Sequence, residues 1–204
     1  FTTDLKYSVW YVSLWPQSLL ALFCLGFVVT LIGQERLRLV GIVPMALAVL
    51  LLFTIKPFDV LVSPESELMA YRHKNGMLSF SDLRASRFVR EQWMQNYGLE
   101  GQEPMKWPKE GGSEDFICGE QGCRLQMNGH AVSFLKDPLV FNAECDWADV
   151  IIATVPLDKC GGVRVIDYHT TKYKGAHGLQ LGDNLVIKNV AEGRGKRPWV
   201  ARVR

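Results

Sequence analysis

Two long apolar runs near the start of the chain constrain its fold more than any other feature. They are Pro16–Gly33 and Leu39–Ile55; neither contains a charged residue, and only the polar hinge Gln34–Arg38 separates them. A helix crosses the ~30 Å hydrocarbon core of a bilayer with about 20 apolar residues, a length that each run reaches with its flanking residues. The sequence therefore predicts two transmembrane α-helices, at about residues 16–33 and 39–55, in a membrane segment of residues 1–58.

The charge of the hinge predicts how these helices are oriented. Arg36 and Arg38 lie in the turn between them, and short cytoplasmic loops carry an excess of Arg and Lys. With the hinge in the cytoplasm, everything after Pro57 lies on the other side. We therefore expect a multi-pass protein of the bacterial inner (plasma) membrane, with residues 59–204 as a periplasmic domain. A cleaved signal peptide is the alternative, but a second apolar run follows the first at once.

The region after Phe58 has the composition of an ordinary globular domain and carries no net charge. The chain has 23 basic and 21 acidic side chains; four basic and two acidic ones precede Asp59, so 19 of each remain. This balance argues against a general polyanion-binding surface.

Four of the five cysteines fall in this polar region, at positions 118, 123, 145 and 160, whereas Cys24 lies within the first apolar run. An even number of cysteines in a domain outside the cytoplasm indicates two disulfides. We favour Cys118–Cys123, which would close a turn between two strands, and Cys145–Cys160. A zinc site is the competing interpretation, although the fourteen residues between the second pair do not fit usual zinc spacing. Unpaired core cysteines are a third possibility.

The polar region mixes strand and helix patterns. Asn75-Gly76 and Gly182-Asp183 each separate two short apolar runs, as in β-hairpins. A helix is expected from Ser86 to Tyr97, and buried strands at Asp149–Val155 and Val163–Tyr168. The predicted fold class is two transmembrane helices followed by an α+β, or layered α/β, domain.

The segment Asp149–Leu179 carries a family resemblance. Together with the two apolar runs, Arg87–Trp93, the Cys118/Cys123 pair and Arg197–Trp199, it resembles the C-terminal portion of ComEC-type competence proteins, in particular those of alphaproteobacterial style. The chain begins at Phe1 rather than Met, from which we expect the C-terminal piece of a longer polypeptide, with processing as the alternative.

The resemblance implies a role in the uptake of transforming DNA. ComEC-type proteins are inner-membrane channels, and many carry a metallo-β-lactamase-like domain outside the membrane. The partners implied are membrane lipid, single-stranded or double-stranded DNA, the upstream part of the same channel protein and other competence machinery.

The same resemblance indicates that the domain is degenerate and not an enzyme. Active members of the metallo-β-lactamase family carry an H-x-H-x-D-H cluster that holds two metals. The four histidines of this chain are isolated, and Val155-Pro156-Leu157-Asp158 stands where the family would have its metal-binding loop. Only His177 matches a site position of the family. We expect no catalytic residue, metal or cofactor, and a domain that gates or stabilises the channel. Asp167 and His169 are a weak acid/base candidate. An envelope interaction module and a metal-dependent phosphodiesterase are the alternatives.

Two short segments combine basic and aromatic residues, as do surfaces that bind single-stranded nucleic acid. They are Lys172-Tyr173-Lys174 and the tail that contains Lys196, Arg197 and Trp199. We predict DNA contacts there; an ordinary solvated loop and tail are the alternative.

Overall fold

A computed structural model of the chain describes residues 15–34 and 36–194. The described residues form two compact units. One contains the residues up to Pro57 together with Trp93–Glu100, and the other contains Phe58–Gln92 together with the residues from Gly101 onward.

Two helices packed against each other make up most of the first unit. They are α1, Gln17–Ile32, and α2, Arg36–Leu52. A Cβ atom on Gly26 would lie 2.7 Å from the carbonyl oxygen of Gly41, so the missing side chain lets the two backbones approach closely. The Thr30 hydroxyl donates to the Gly26 carbonyl oxygen at 2.8 Å, which satisfies this polar group within its own helix.

The prediction of two transmembrane helices is wrong. The helices have 16 and 17 residues, which at 1.5 Å per residue gives about 24 and 26 Å, less than the ~30 Å hydrocarbon core. Across residues 15–34 and 36–194, none of the helices combines the length and the apolar character that a membrane crossing needs. The helices end before the apolar runs do, since Gly33 is extended and Phe53 and Thr54 form a turn. The predicted fold class and the predicted multi-pass inner-membrane location are therefore corrected.

The second unit contains two six-stranded sheets. Its strands are β1 Val60–Val62, β2 Met69–Arg72, β3 Leu78–Phe80, β4 Met105–Lys106, β5 Gly111–Gly112, β6 Phe116–Cys118, β7 Gly122–Met127, β8 His130–Leu135, β9 Val150–Ala153, β10 Arg164–Ile166, β11 His177–Leu181 and β12 Leu185–Asn189. The first sheet has the order β12-β11-β1-β2-β3-β4, and the second has the order β10-β9-β8-β7-β6-β5.

Four further helices complete the described part of the chain, which is a mixed α/β fold with six α-helices and two sheets. They are α3 Arg87–Asn96, α4 Phe141–Cys145, α5 Tyr168–Lys174 and α6 Val190–Arg194, and short 3-10 turns lie at Pro64–Ser66 and Pro138–Val140.

The main hydrophobic core lies between the two sheets. Inward side chains of the first sheet, such as Val60 and Leu179, share one buried cluster with Leu125, Val132 and Ile152 of the second. A smaller cluster joins α4 to the second sheet, where Phe141 packs with buried residues that include Ile151 and Cys160. Both faces of β9 are thus buried, which explains the uninterrupted apolar sequence of this strand.

The strands β8, β9 and β10 run parallel to one another. The carboxyl ends of parallel strands meet at one edge of a sheet, so the loop after β9 and the start of α5 after β10 lie next to each other. Three of the residues that the sequence singled out, Cys160, Asp167 and His169, line a cleft at this edge.

Candidate functional site

Asp167 follows β10 directly and is the N-cap residue of helix α5. One carboxylate oxygen of Asp167 accepts hydrogen bonds from the Thr170 N–H at 2.9 Å and the Thr170 hydroxyl at 2.6 Å, which caps the first turn. The other oxygen accepts from the Leu157 N–H at 3.3 Å, which ties the loop after β9 to the helix start. Burial raises the pKa of Asp167, but these hydrogen bonds outweigh burial and hold the pKa below its usual range.

These contacts bear on the predicted Asp167–His169 acid/base pair. The Asp167 carboxylate is buried and committed to three hydrogen bonds that stabilise the fold. His169 lies on α5 rather than on a strand, it is exposed, and its ring centroid is 5.9 Å from that of Tyr168. The alternation that suggested the pair therefore does not exist.

A cleft of about 410 Å³ opens between the loop after β9 and the first turn of α5. Leu157, Val163 and Val165 supply its aliphatic wall, and each of them packs against the buried cluster around Phe141. The polar part of the lining contains Asp158, Lys159, Asp167, His169 and Thr170. The cleft thus has an apolar wall and a polar rim, as small-molecule sites do.

The next turn of α5 carries the predicted Lys172-Tyr173-Lys174 triplet. The Lys172 ammonium lies 5.3 Å from the centre of the Tyr168 ring and 3.5 Å from its hydroxyl oxygen. Lys172 and Lys174 are exposed, and Tyr173 is half-buried. The other predicted contacts, Lys196, Arg197 and Trp199, lie outside the described residues.

His177 is not part of this cleft lining; it is the first residue of β11, between β1 and the edge strand β12 of the first sheet. It lies opposite Val62 of β1 and Asn189 of β12, and it is only 4 % exposed. Its Nδ1 atom is buried without a hydrogen-bond partner. Burial lowers the pKa of His177, and a hydrogen bond with the backbone of Gly175 only partly opposes that effect. Within the described residues, no three His, Cys, Asp or Glu side chains are grouped so that they could hold a metal ion.

The four cysteines of the second unit are paired as disulfides. Cys118 and Cys123 lie directly opposite each other on β6 and β7, and their bond closes the hairpin. The second disulfide joins Cys145, at the end of α4, to Cys160 in the wall of the cleft. These are the two pairs that the sequence favoured over a zinc site, and a cysteine in a disulfide has no thiolate to offer a metal.

A second cleft, of about 370 Å³, lies over the outer face of the hairpin β6–β7. Its main charged groups are Arg124 and the buried Glu144, whose Nε and Oε1 atoms lie 3.0 Å apart. This ion pair fixes α4 on the sheet and leaves the cleft without an uncommitted buried charge, so the cleft beside α5 is the stronger candidate.

Sequence reasoning missed the cleft itself and two residues on its rim, Lys159 and Thr170. One signal was available for Thr170. Asp is a preferred N-cap residue, and its carboxylate accepts a hydrogen bond from the backbone N–H two or three residues later, here that of Thr170. Lys159 had no such signal, since it lies in the loop between β9 and β10.

Comparison with known proteins adds no relative. No protein-family model matches the sequence, and neither a curated protein nor a solved structure is significantly similar to it.

Proposed function

We propose that this chain corresponds to the C-terminal portion of a ComEC-type DNA-uptake protein, and that its second unit contacts the incoming DNA without cutting it. The observation that carries the proposal is the surface of α5, where Lys172 and Lys174 are exposed and the Lys172 ammonium lies over the Tyr168 ring. Cationic groups interleaved with aromatic rings suit a nucleic-acid strand, because phosphates and base faces can be bound together.

The non-catalytic part of the proposal rests on how the candidate catalytic groups are used. Asp167 caps α5 and anchors Leu157, and the imidazole of His177 is buried in a sheet. A general acid or base must reach the substrate proton directly or through one water molecule. Neither side chain is free to do so in this arrangement.

The first test is DNA binding by the full chain, measured by fluorescence anisotropy with a labelled single-stranded oligonucleotide of about 16 nucleotides. We expect Lys172→Ala/Lys174→Ala to weaken binding and to lower the slope of log K against log salt by about 0.7 per lysine removed. Lys109→Ala, which removes an exposed lysine from a loop before β5, is the matched control. Equal binding and equal slopes in all three proteins would refute the proposed surface.

The second test is made in the source organism and addresses DNA uptake. The Lys172→Ala/Lys174→Ala variant should lower the frequency of natural transformation, while Lys109→Ala should not, at protein levels shown to be equal. An unchanged frequency would favour an interaction module unrelated to DNA uptake. Cleavage of end-labelled DNA by the purified chain with added divalent metal would favour the phosphodiesterase alternative instead.

A further inference from the structure

The cleft beside α5 has an aliphatic wall that suits an uncharged group. Leu157, Val163 and Val165 are all half-buried, so part of each aliphatic side chain remains available to a ligand. Their other side packs on the buried cluster of α4 and β9, which keeps the wall in place. On the rim, His169 contributes an exposed ring.

The charges of the cleft and of the adjacent helix surface differ. The cleft contains one cation, Lys159, and two carboxylates, Asp158 and Asp167. A phosphate group inside it would therefore meet more negative than positive charge. The cationic groups Lys172 and Lys174 lie further along the same helix. This arrangement separates a place for phosphates from a place for an uncharged group.

We infer that the cleft receives an unstacked nucleobase from the strand whose phosphates contact Lys172 and Lys174. The base would lie against Leu157, Val163 and Val165 and stack on His169, since imidazole rings serve as stacking partners for exposed bases. This inference rests on the proposed function and adds to it a base-binding site. A duplex keeps its bases stacked and paired, so the site selects single-stranded over double-stranded DNA.

The test compares two oligonucleotides of equal length and equal charge, one of thymidines and one of abasic sites, on the full chain. Stacking of a base on an aromatic side chain contributes enough that we expect the abasic strand to bind about 10-fold more weakly. His169→Ala should weaken binding of the thymidine strand and leave binding of the abasic strand unchanged. His169→Phe, which keeps a stacking ring, should restore binding of the thymidine strand.

Phe88→Ala is the matched control, because Phe88 is 74 % exposed on α3 and is not part of the cleft lining. It should bind both strands as the unmodified chain does. A fold check by circular dichroism accompanies each variant, and His169 is exposed, so its replacement leaves the core intact.

The outcomes separate this inference from the proposed function. If both oligonucleotides bind equally and Lys172→Ala/Lys174→Ala weakens both, the base site is refuted and the DNA-binding surface stands. If neither strand binds, both proposals fail. If thymidine monophosphate alone binds with the same dependence on His169 while the strand does not, the cleft is a site for a free nucleotide and the inference is overturned.

Discussion

The side-chain oxygens of Ser66 and Thr171 lie 2.9 Å apart, and both residues are fully buried although 105 positions separate them in the sequence. The Thr171 hydroxyl is also 3.2 Å from the Asp167 carbonyl oxygen and 3.1 Å from that of Tyr168. A carbonyl can only accept, so Thr171 donates to its own helix and Ser66 donates to Thr171. The turn before β2 thereby fixes the buried side of α5.

The backbone of this turn shows that the contact is maintained at a cost. Glu65 and Ser66 have φ values of 63° and 57°, in the left-handed region that disfavours side chains with a Cβ atom. Such conformations cost of order 1 kcal/mol or more each and persist only where the surroundings enforce them. The hydrogen bond to Thr171 and the burial of Ser66 are what the surroundings supply.

Removal of either hydroxyl should therefore destabilise the second unit. We expect Thr171→Val, which keeps the shape of the side chain, to lower the free energy of unfolding by about 1–3 kcal/mol, because the buried Ser66 hydroxyl loses its acceptor. The measurement is urea unfolding of the full chain with Ser66→Ala, Thr171→Val and the double variant. The double variant should lose less than the sum of the single losses; strictly additive losses would show that the two hydroxyls do not interact.

Local patterns predicted the hairpins, because their signals lie within a few residues. The Asn75-Gly76 turn joins β2 to β3, and Gly182-Asp183 lies between β11 and β12, where the sequence placed them. Alternating burial and turn chemistry determine such elements without help from distant parts of the chain.

Helix α5 has only one local signal in the sequence, the N-cap residue Asp167. Its seven residues are too few to show a helical period, and the apolar run before it indicated a strand that continues to Tyr168. The helix depends on the Asp167 cap and on Ser66, which is 105 residues away. Because the cleft lies between this helix and the loop after β9, local sequence patterns could not predict it.

The transmembrane prediction failed for a different physical reason. Hydropathy counts apolar residues whether or not the backbone is helical. Gly33 leaves the helix with φ −65° and ψ 145°, and α2 ends at Leu52 although the apolar sequence continues to Ile55. The run lengths therefore overstated the helix lengths.

The Cys145–Cys160 disulfide should contribute substantially to stability. It closes a loop with a sequence separation of 15, for which the chain-entropy relation gives about 3 kcal/mol. We expect Cys145→Ala/Cys160→Ala to lose about that amount in urea unfolding under non-reducing conditions. Mass analysis of unreduced peptides should find Cys118 joined to Cys123 in both proteins, and any other partner for Cys118 would contradict the pairing.

Asp167 should make the free energy of unfolding depend on pH in the acid range. Burial raises the pKa of its carboxyl, but the hydrogen bonds from Thr170 and Leu157 hold the folded-state pKa below the unfolded value of about 3.9. Its contribution is therefore present above that value and is lost as the pH falls through the folded-state pKa. Asp167→Asn keeps an acceptor for Thr170 but not one for Leu157, and should lose about 1 kcal/mol near neutral pH.

The check is urea unfolding of both proteins at about pH 7 and about pH 3, where the difference between them should shrink. Asp158→Asn, which changes an exposed carboxylate in the same cleft, is the control and should differ little from the unmodified chain at either pH. A difference for Asp167→Asn that is as large in acid as at neutrality would refute the assigned role of the ionised carboxylate.

His177 should produce a second pH dependence, closer to neutrality. Burial is the main cause that lowers its folded-state pKa below the unfolded value of about 6.5. In addition, a proton on its unpartnered Nδ1 would have no hydrogen-bond acceptor. Of the charged groups that act on it, Lys174 lowers the pKa further and Glu192 raises it. As the pH falls, this imidazole is therefore protonated in the unfolded chain before it is protonated in the folded chain. The free energy of unfolding then decreases as the pH drops below about 6.5.

His177→Leu removes the titrating group while keeping an apolar side chain in a position that is 4 % exposed. We expect the variant to lose less stability than the unmodified chain between about pH 8 and about pH 5 in urea unfolding. Some dependence should remain, because burial also lowers the pKa of His73, and His73→Gln combined with His177→Leu should reduce it further. The same loss of stability in His177→Leu as in the unmodified chain would show that the imidazole is not held neutral by the sheet.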